Sequence, residues 1–319
     1  MSTLRVRVAR KAVQAQGICS YELVALDGAA LPAFTAGAHI QVTVPGGLTR
    51  AYSLCNDSCE THRYRIGVLH DPASRGGSRA MHEAVHEGDV LEISTPHNHF
   101  ELAPAARRSL LLAGGIGITP LLAMAQTLSA QGAAFALHYC TRAAERTAFR
   151  QEIAQSAFAH DVHYHHDDGA STQKLSLPEL LASPQPGVHL YVCGPGGFMD
   201  AVLRTARASG WPEAQLHYEF FSATVAPVAG DASFEVQLAR SGRVVHIAAD
   251  QTVAKALALA GVDIALSCEQ GVCGTCLTKV LQGEPDHRDL YLTPEEQAAN
   301  DQFTPCCSRS KSALLVLDL

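Results

Sequence analysis

The hydrophobic rhythm of the chain changes twice. Over residues 4–100, apolar and polar residues alternate in short runs: Leu4–Ala9, Ser20–Ala25, His39–Val44, Arg63–Val68 and Val90–Ser94, with Gly and Pro clusters between them. A period of two sends neighbouring side chains to opposite faces of a strand, so this region predicts a small antiparallel barrel or sandwich. From about residue 108 the pattern changes: an apolar strand run at Ser109–Ala113 is followed by strands at Ala134–Cys140, Asp161–His165 and Val188–Cys193. Helical stretches separate them, at Pro120–Gln131, near 145–157 and near Leu177–Ala182. Strand and helix in that alternation predict a parallel α/β sheet, which binds ligands beyond the carboxyl ends of its strands. Residues 222–232 are small, carry Pro and Gly, and read as a linker. Beyond them come strands at Phe234–Ala239, Val244–Ala248 and Leu314–Asp318 and a helix at Thr252–Ala260. The expected organisation is a barrel over 1–103, an α/β domain over 104–224, a linker at 225–232 and a last domain over 233–319.

Composition sharpens this picture modestly. A chain of 319 residues, 47% hydrophobic, can fill two or three cores. A net charge of −7 argues against nucleic acid as a partner. Residues 233–319 carry eleven acidic against seven basic side chains, which suits a basic protein surface and equally suits plain solubility. No apolar run approaches the roughly 18 residues of a membrane span, so no membrane association is expected. The opening MSTLRVRVARK has no apolar export core, which predicts a cytoplasmic protein. Ten cysteines in a reducing compartment then point to metal or redox chemistry rather than to disulfides.

Four of those cysteines form a pattern. Cys268, Cys273 and Cys276 are spaced C-x4-C-x2-C, and Cys306 follows after 29 intervening residues. A short loop supplying three thiolates, closed by a distant fourth, is the plant-type arrangement for one 2Fe-2S cluster, which carries single electrons. Gly271 and Gly274 lie inside the loop, where backbone must pass close to inorganic sulfide. Structural zinc fits less well, because zinc knuckles favour paired C-x2-C units. Cys306 and Cys307 are adjacent, and only one of them can easily face the cluster; Cys306 is the expected ligand.

Two Gly-rich turns end apolar strands. Gly114-Gly115-Ile116-Gly117-Ile118-Thr119-Pro120 opens a helix, where glycines admit a pyrophosphate and free helix N–H groups bind its charge. It is not the G-x-G-x-x-G fingerprint, and a plain strand–helix turn would look similar. Cys193-Gly194-Pro195-Gly196-Gly197 ends a second strand, and side by side the two turns would floor a nicotinamide ring against Cys193. In the barrel, Arg50-Ala51-Tyr52-Ser53-Leu54 offers a phosphate partner, an aromatic and a hydroxyl. Gly76-Gly77-Ser78 then opens a short helix, a second anion site. The sixteen histidines cluster partly at 160–166, but alternation sends His163 and His165 away from Tyr164 and His166, so a second metal site is not expected.

RAYSL at 50–54, GGIGITP at 114–120, CGPGG at 193–197, CEQGVCGTC at 268–276 and CCSRS at 306–310 occur in this order in the phthalate dioxygenase reductase family, which the whole chain resembles. PHNHFEL at 96–102 and DHRDLYLTPEEQ at 286–297 extend the likeness. The resemblance implies an FMN-binding antiparallel β-barrel, an NAD-binding α/β domain and a C-terminal plant-type ferredoxin domain of α+β, β-grasp type. It implies that Arg50 holds the FMN phosphate, that Tyr52 and Ser53 contact the isoalloxazine, and that Gly76, Gly77 and Ser78 cap the phosphate with His70 nearby. Gly115, Gly117, Thr119, Gly194 and Pro195 would cradle NADH, with Cys193 beside the nicotinamide. Phe221, or else Phe220, would cover the flavin, and Ser53, Cys193 and Phe221 would be the catalytic set. Thr141 and Arg142 would lie near the ribose 2′ group, where an arginine could welcome NADPH, although the family favours NADH. The implied activity is NADH-dependent reduction of a terminal Rieske-type oxygenase component. A flavin-free redox sensor or an FAD-dependent reductase with another acceptor are the alternatives.

Overall fold

The computed structural model describes residues 3–72, 76–221, 230–266, 269, 271–272 and 274–319. Two compact units form, Met1–Phe221 and Ser222–Leu319. The first begins with β1 (Thr3–Ala15), β2 (Ile18–Ala25), β3 (His39–Thr43), β4 (Thr49–Ser53), β5 (Tyr64–Leu69), α1 (Gly77–Ala84) and β6 (Val90–Ser94). The strands make one antiparallel sheet in the order β4-β3-β6-β1-β2-β5. An isolated bridge between Leu54 and Ile66 brings the two edges together. Alternate residues Val6, Val8, Tyr21, Leu23, Ile40, Val42, Tyr64 and Ile66 point inward, and Met81 and Val85 pack against them beside α1. β1 runs six residues past the expected Ala9. Register breaks at Val8/Arg10 and Val13/Ala15 interrupt its alternation, so a period-two reading loses the second half.

The same unit continues with β7 (Arg108–Gly114), α2 (Ile118–Ala130), β8 (Ala134–Thr141), α3 (Arg150–Gln155), β9 (Val162–His166), α4 (Leu177–Leu180), β10 (Val188–Gly194), α5 (Gly196–Ala208) and β11 (Leu216–Phe220). The strands are parallel, in the order β11-β10-β7-β8-β9. Leu111, Ala113, Leu137, Tyr139, Tyr191 and Cys193 face α2, in a core shared with Ile18, Ala36, Cys55 and Phe100 of the barrel. Leu110, Leu112, Ala136, Leu190 and Val192 face α5 and Trp211 on the other side. The sequence reading missed α5 and β11. Gly196 and Gly197 suggest only a turn, yet Met199, Val202, Leu203 and Ala206 recur at helical spacing behind the N-cap Pro195. The helix expected near 145–157 shrinks to α3, because Phe149 adopts φ 59° and cannot continue a helix.

The second unit holds β12 (Phe234–Leu238), β13 (Val244–Ile247), α6 (Val253–Leu259), β14 (Thr278–Gln282), β15 (Pro285–Asp286), α7 (Pro294–Ala299), β16 (Gln302–Phe303), β17 (Arg309–Ser310) and β18 (Leu314–Leu317). A mixed sheet runs β13-β12-β18-β14-β16, with β12 and β18 parallel. Thr252 caps α6 through its hydroxyl, and Thr293 with Glu296 forms a capping box on α7. Buried Arg309 donates to the carbonyls of Gln251, Ala248 and Ala232, and so ties the start of the unit to its end. No helix among the described residues is long and apolar enough to cross a membrane. The expected linker falls mostly on residues outside those described.

Asn98 of the PHNHFEL run fastens the barrel where the chain leaves it. Its Nδ2 donates to Thr35 Oγ1 at 2.7 Å and to Ala36 O at 2.9 Å, while its Oδ1 accepts from Phe100 N at 2.9 Å. Asn98→Ala is expected to cost about 1–3 kcal/mol. Urea unfolding followed by the fluorescence of Trp211, the chain's one tryptophan, measures it; an unchanged midpoint would show the clip to be idle.

Candidate functional site

The two Gly-rich turns lie side by side, because β10 is hydrogen-bonded directly to β7 with Cys193 opposite Ala113. Their approach is backbone against backbone. A Cβ on Gly194 would stand 2.9 Å from the Gly114 Cα, and one on Gly117 would collide with the Cys193 carbonyl. Both positions must therefore be glycine, and Phe198 lies across the pair. Gly115, at φ 53°, starts the turn that delivers α2 with its N-terminus at the same sheet edge. Thr119 turns inward: its hydroxyl donates to Ile116 O at 3.0 Å, and its methyl abuts the barrel at Gly67. Only its backbone remains to serve a ligand. Pro195 caps α5, whose N-terminus opens at the end of β10.

On the barrel side, β4 carries Arg50, Tyr52 and Ser53. The stem and Nε of Arg50 lie against Gly77, where a Cβ would come within 2.7 Å of Cγ and 2.9 Å of Nε. Gly76, at φ 107°, is the N-cap of α1. A guanidinium and a helix N-terminus thus converge on one spot, and together they make an anion seat. The Ser78 hydroxyl accepts from Asp71 N at 3.2 Å. His70 stands further along α1, its ring 5.1 Å from that of His82 and its Nε2 3.9 Å from Glu83. Tyr52 packs against the barrel core, and burial pushes its hydroxyl up to about 12.

Barrel and sheet meet at Ser53. Its buried hydroxyl donates to Glu219 Oε2 on β11 at 3.4 Å, and β11 pairs with β10 so that Glu219 stands opposite Cys193. Serine and carboxyl therefore meet in the crevice between barrel and sheet, beside the fully buried thiol. Burial raises the Cys193 thiol well above its ordinary range, and the Glu219 charge adds to the effect. Burial also pushes Glu219 up to about 8, with the Ser53 hydroxyl pulling weakly the other way. Glu219 keeps some open surface although protein surrounds it. Phe221 packs on the core that contains Cys193, whereas Phe220 packs on the opposite face with Phe198.

Glu219 is the residue that sequence reading did not single out. It belongs to no motif; its only signal is an acid flanked by Tyr218 and Phe220 in a short aromatic strand. At the far end of the sheet, Thr141 is buried and its hydroxyl is already engaged with Ala143 O, Thr147 and His166. Arg142 is exposed just beyond the end of β8.

In the second unit, Cys276 and Cys306 are buried in one small cluster with Ala254 and Cys307. Cys268 and Cys273 lie outside the described residues. Cys307 Sγ is 3.1 Å from Thr304 Oγ1 and presses on Gly271, and its thiol is lowered chiefly by its hydrogen bond with Cys306. Gly271 and Gly274 take φ 72° and 67°, and the Tyr291 ring fills the notch over Gly274. Among the eight described cysteines none forms a disulfide. Buried thiols beside positive-φ glycines are the donor set and the cradle that an iron–sulfur cluster requires.

Glu219 gives a pH test. A carboxyl raised by burial stays protonated in the fold while the unfolded chain ionises from about pH 4.5. The unfolded state then binds fewer protons, so stability falls as pH rises from about 5 to about 8 and levels off above. Glu219→Gln should abolish that slope, gaining roughly 1–2 kcal/mol over wild type at pH 8, less than the full shift because the crevice leaves the carboxyl partly wet. Parallel urea midpoints for the two proteins between pH 5 and 9 would show the carboxyl to be ionised throughout.

Comparison with known proteins identifies the family. Residues 236–311 match the 2Fe-2S iron-sulfur cluster binding domain, and residues 94–216 match the N-terminal domain of dimethylamine monooxygenase subunit DmmA-like proteins. The vanillate O-demethylase oxidoreductase of Pseudomonas putida is 58% identical over 307 residues, with 96% of each chain covered. The phthalate dioxygenase reductase of Burkholderia cepacia is 43% identical, covering 99% of this chain and 97% of its own. A solved phthalate dioxygenase reductase, described as a modular structure for electron transfer from pyridine nucleotides to a 2Fe-2S centre, superposes with a TM-score of 0.78 at 43% identity, covering 100% of this chain and 98% of that one. The chain belongs to the phthalate dioxygenase reductase family of iron–sulfur oxidoreductases.

Proposed function

We propose that this protein is the NADH-dependent reductase component of a two-component aromatic oxygenase or demethylase, passing electrons from NADH through FMN and a 2Fe-2S cluster to a terminal Rieske-type oxygenase. The observation that carries the reading is the meeting of Ser53 with Glu219 beside Cys193, at the edge where both Gly-rich turns end. Arg50 and the N-terminus of α1 would hold the FMN phosphate, with Tyr52 and Ser53 along the ring and His70 flanking α1. The backbones of Gly115, Gly117, Thr119, Gly194 and Pro195 would seat the dinucleotide, with Thr141 and Arg142 at its ribose end. Phe221 would cover the ring face until nicotinamide takes its place. The domain limits would be 1–103, 104–224 and 233–319, joined at 225–232.

When bound, FMN supplies the conversion of a two-electron hydride into single-electron steps. The chain's own work is placement and proton control. Cys193, buried and kept as a neutral thiol, would floor the nicotinamide without adding charge. Ser53 Oγ donates a hydrogen bond to Glu219 Oε2, and the carboxyl, protonated below about pH 8, holds its proton on its other oxygen. Packing of Phe221 and Tyr52 would exclude water from the ring. Cys268, Cys273, Cys276 and Cys306 would hold the cluster, with Cys307 turned to Thr304.

An anaerobic NADH titration tests this. NADH should bleach flavin bands first, and the flavin released by heating should be FMN. Cys276→Ser should keep the bleaching yet lose reduction of the oxygenase, and Arg50→Ala should lose the flavin. Colourless wild-type protein, or a Cys276→Ser variant that folds but no longer bleaches, would overturn the proposal.

A further inference from the structure

A polar clasp joins barrel and sheet within Met1–Phe221, and neither cofactor seat accounts for it. Arg65 on β5 is 8% exposed. Its guanidinium meets Glu152 of α3 as a two-pronged fork, Nη1 to Oε2 and Nη2 to Oε1, both at 2.7 Å. Nη2 also donates to Cys55 O at 3.0 Å, and Gln126 of α2 donates to Glu152 Oε1 at 3.3 Å. Phe149 completes the arrangement: its ring centroid lies 5.2 Å from the guanidinium carbon. That residue is fully buried in the left-handed region, φ 59°, a conformation that costs a bulky side chain free energy and persists only where packing demands it. A backbone bond from Gln16 N to Glu145 O, 2.8 Å, straps the same segment to the β1–β2 hairpin.

The clasp touches both halves of the crevice. Cys55, whose carbonyl Arg65 holds, lies two residues from Ser53, and Ile66, next to Arg65, bridges to Leu54. On the other side, Gly67 of β5 receives the Thr119 methyl and the Phe149 ring; a Cβ there would stand 2.7 Å from Thr119 Cγ2 and 3.2 Å from Phe149 Cζ. Thr119 belongs to the first turn of α2, behind the Gly115–Gly117 turn. An ion pair with a buried arginine and a partly exposed glutamate adds little stability compared with apolar residues of the same volume. What a planar fork gives is a fixed distance and angle between the elements that it joins.

We propose that Arg65, Glu152 and Phe149 are positioning residues for hydride transfer: the clasp sets the register of the Gly115–Thr119 turn against the Ser53 strand. This rests on the functional reading above. Transfer between two bound rings is steeply sensitive to their separation, whereas binding of either one is not.

The test compares wild type with Arg65→Met/Glu152→Met, which fills the same volume without charge, and with Arg65→Lys, which keeps the charge without the fork. Flavin content and melting temperature should stay close to wild type, as should the apparent NADH affinity in stopped-flow bleaching. The saturating bleaching rate should fall about tenfold or more, and the isotope effect with deuterated NADH should rise. In flavin-free protein, hydrogen exchange over 149–155 should quicken in the variants. A saturating rate within twofold of wild type, or one that falls only in step with flavin content, would overturn the clasp. Wild-type protein that NADH does not bleach would overturn the functional reading and the clasp with it.

Discussion

Bare backbone pressed on bare backbone is the contact on which the crevice depends. Gly117 rests on the Cys193 carbonyl and Gly194 on the Gly114 Cα, with no room for a methyl group between them. That approach seats α2 and α5 at one sheet edge and leaves Cys193 buried in the core beside it. One strand further on, the parallel register brings Glu219 level with Cys193. Ser53 can reach the carboxyl only because barrel and sheet share a core through Ile18, Ala36, Cys55 and Phe100. A side chain at either glycine would wedge the turns apart and displace every later member of the series.

Two acids at the junction of barrel and sheet have different partners. Among the described residues, the Ser53 hydroxyl reaches Glu219 at 3.4 Å, and protein packed around the carboxyl favours the neutral acid. Glu152 has a guanidinium fork and a glutamine amide. The first arrangement leaves a proton available beside the thiol; the second binds two elements at a fixed spacing. Residue type alone does not distinguish them, since what differs is the partner supplied by a remote strand.

That distinction marks how far the sequence could be read. Strands and turns with local signals were legible: β6 coincides with its alternating run, and the two Gly-rich turns announce themselves by composition. The far half of β1 was hidden by its bulges, and α5 by the glycines at its start. Glu219 and the Arg65–Glu152 pair were illegible for another reason. Their partners are 166 and 87 residues away, and no local pattern encodes a meeting over that separation. Phe149 was hidden likewise, for nothing in Thr147-Ala148-Phe149 marks a left-handed residue. Phe220 and Phe221 pack on opposite faces of the sheet, a difference that their shared aromatic character does not reveal.

The parallel pairing of β12 with β18 has a topological consequence. The first and last strands of the second unit are neighbours and run the same way, so the chain enters that unit at one end of the sheet and finishes at the other. Strands of five and four residues separate the two ends by about 15 Å. A fusion appended after Leu319 would therefore leave from the opposite end of this sheet to the one at which Phe234 enters it.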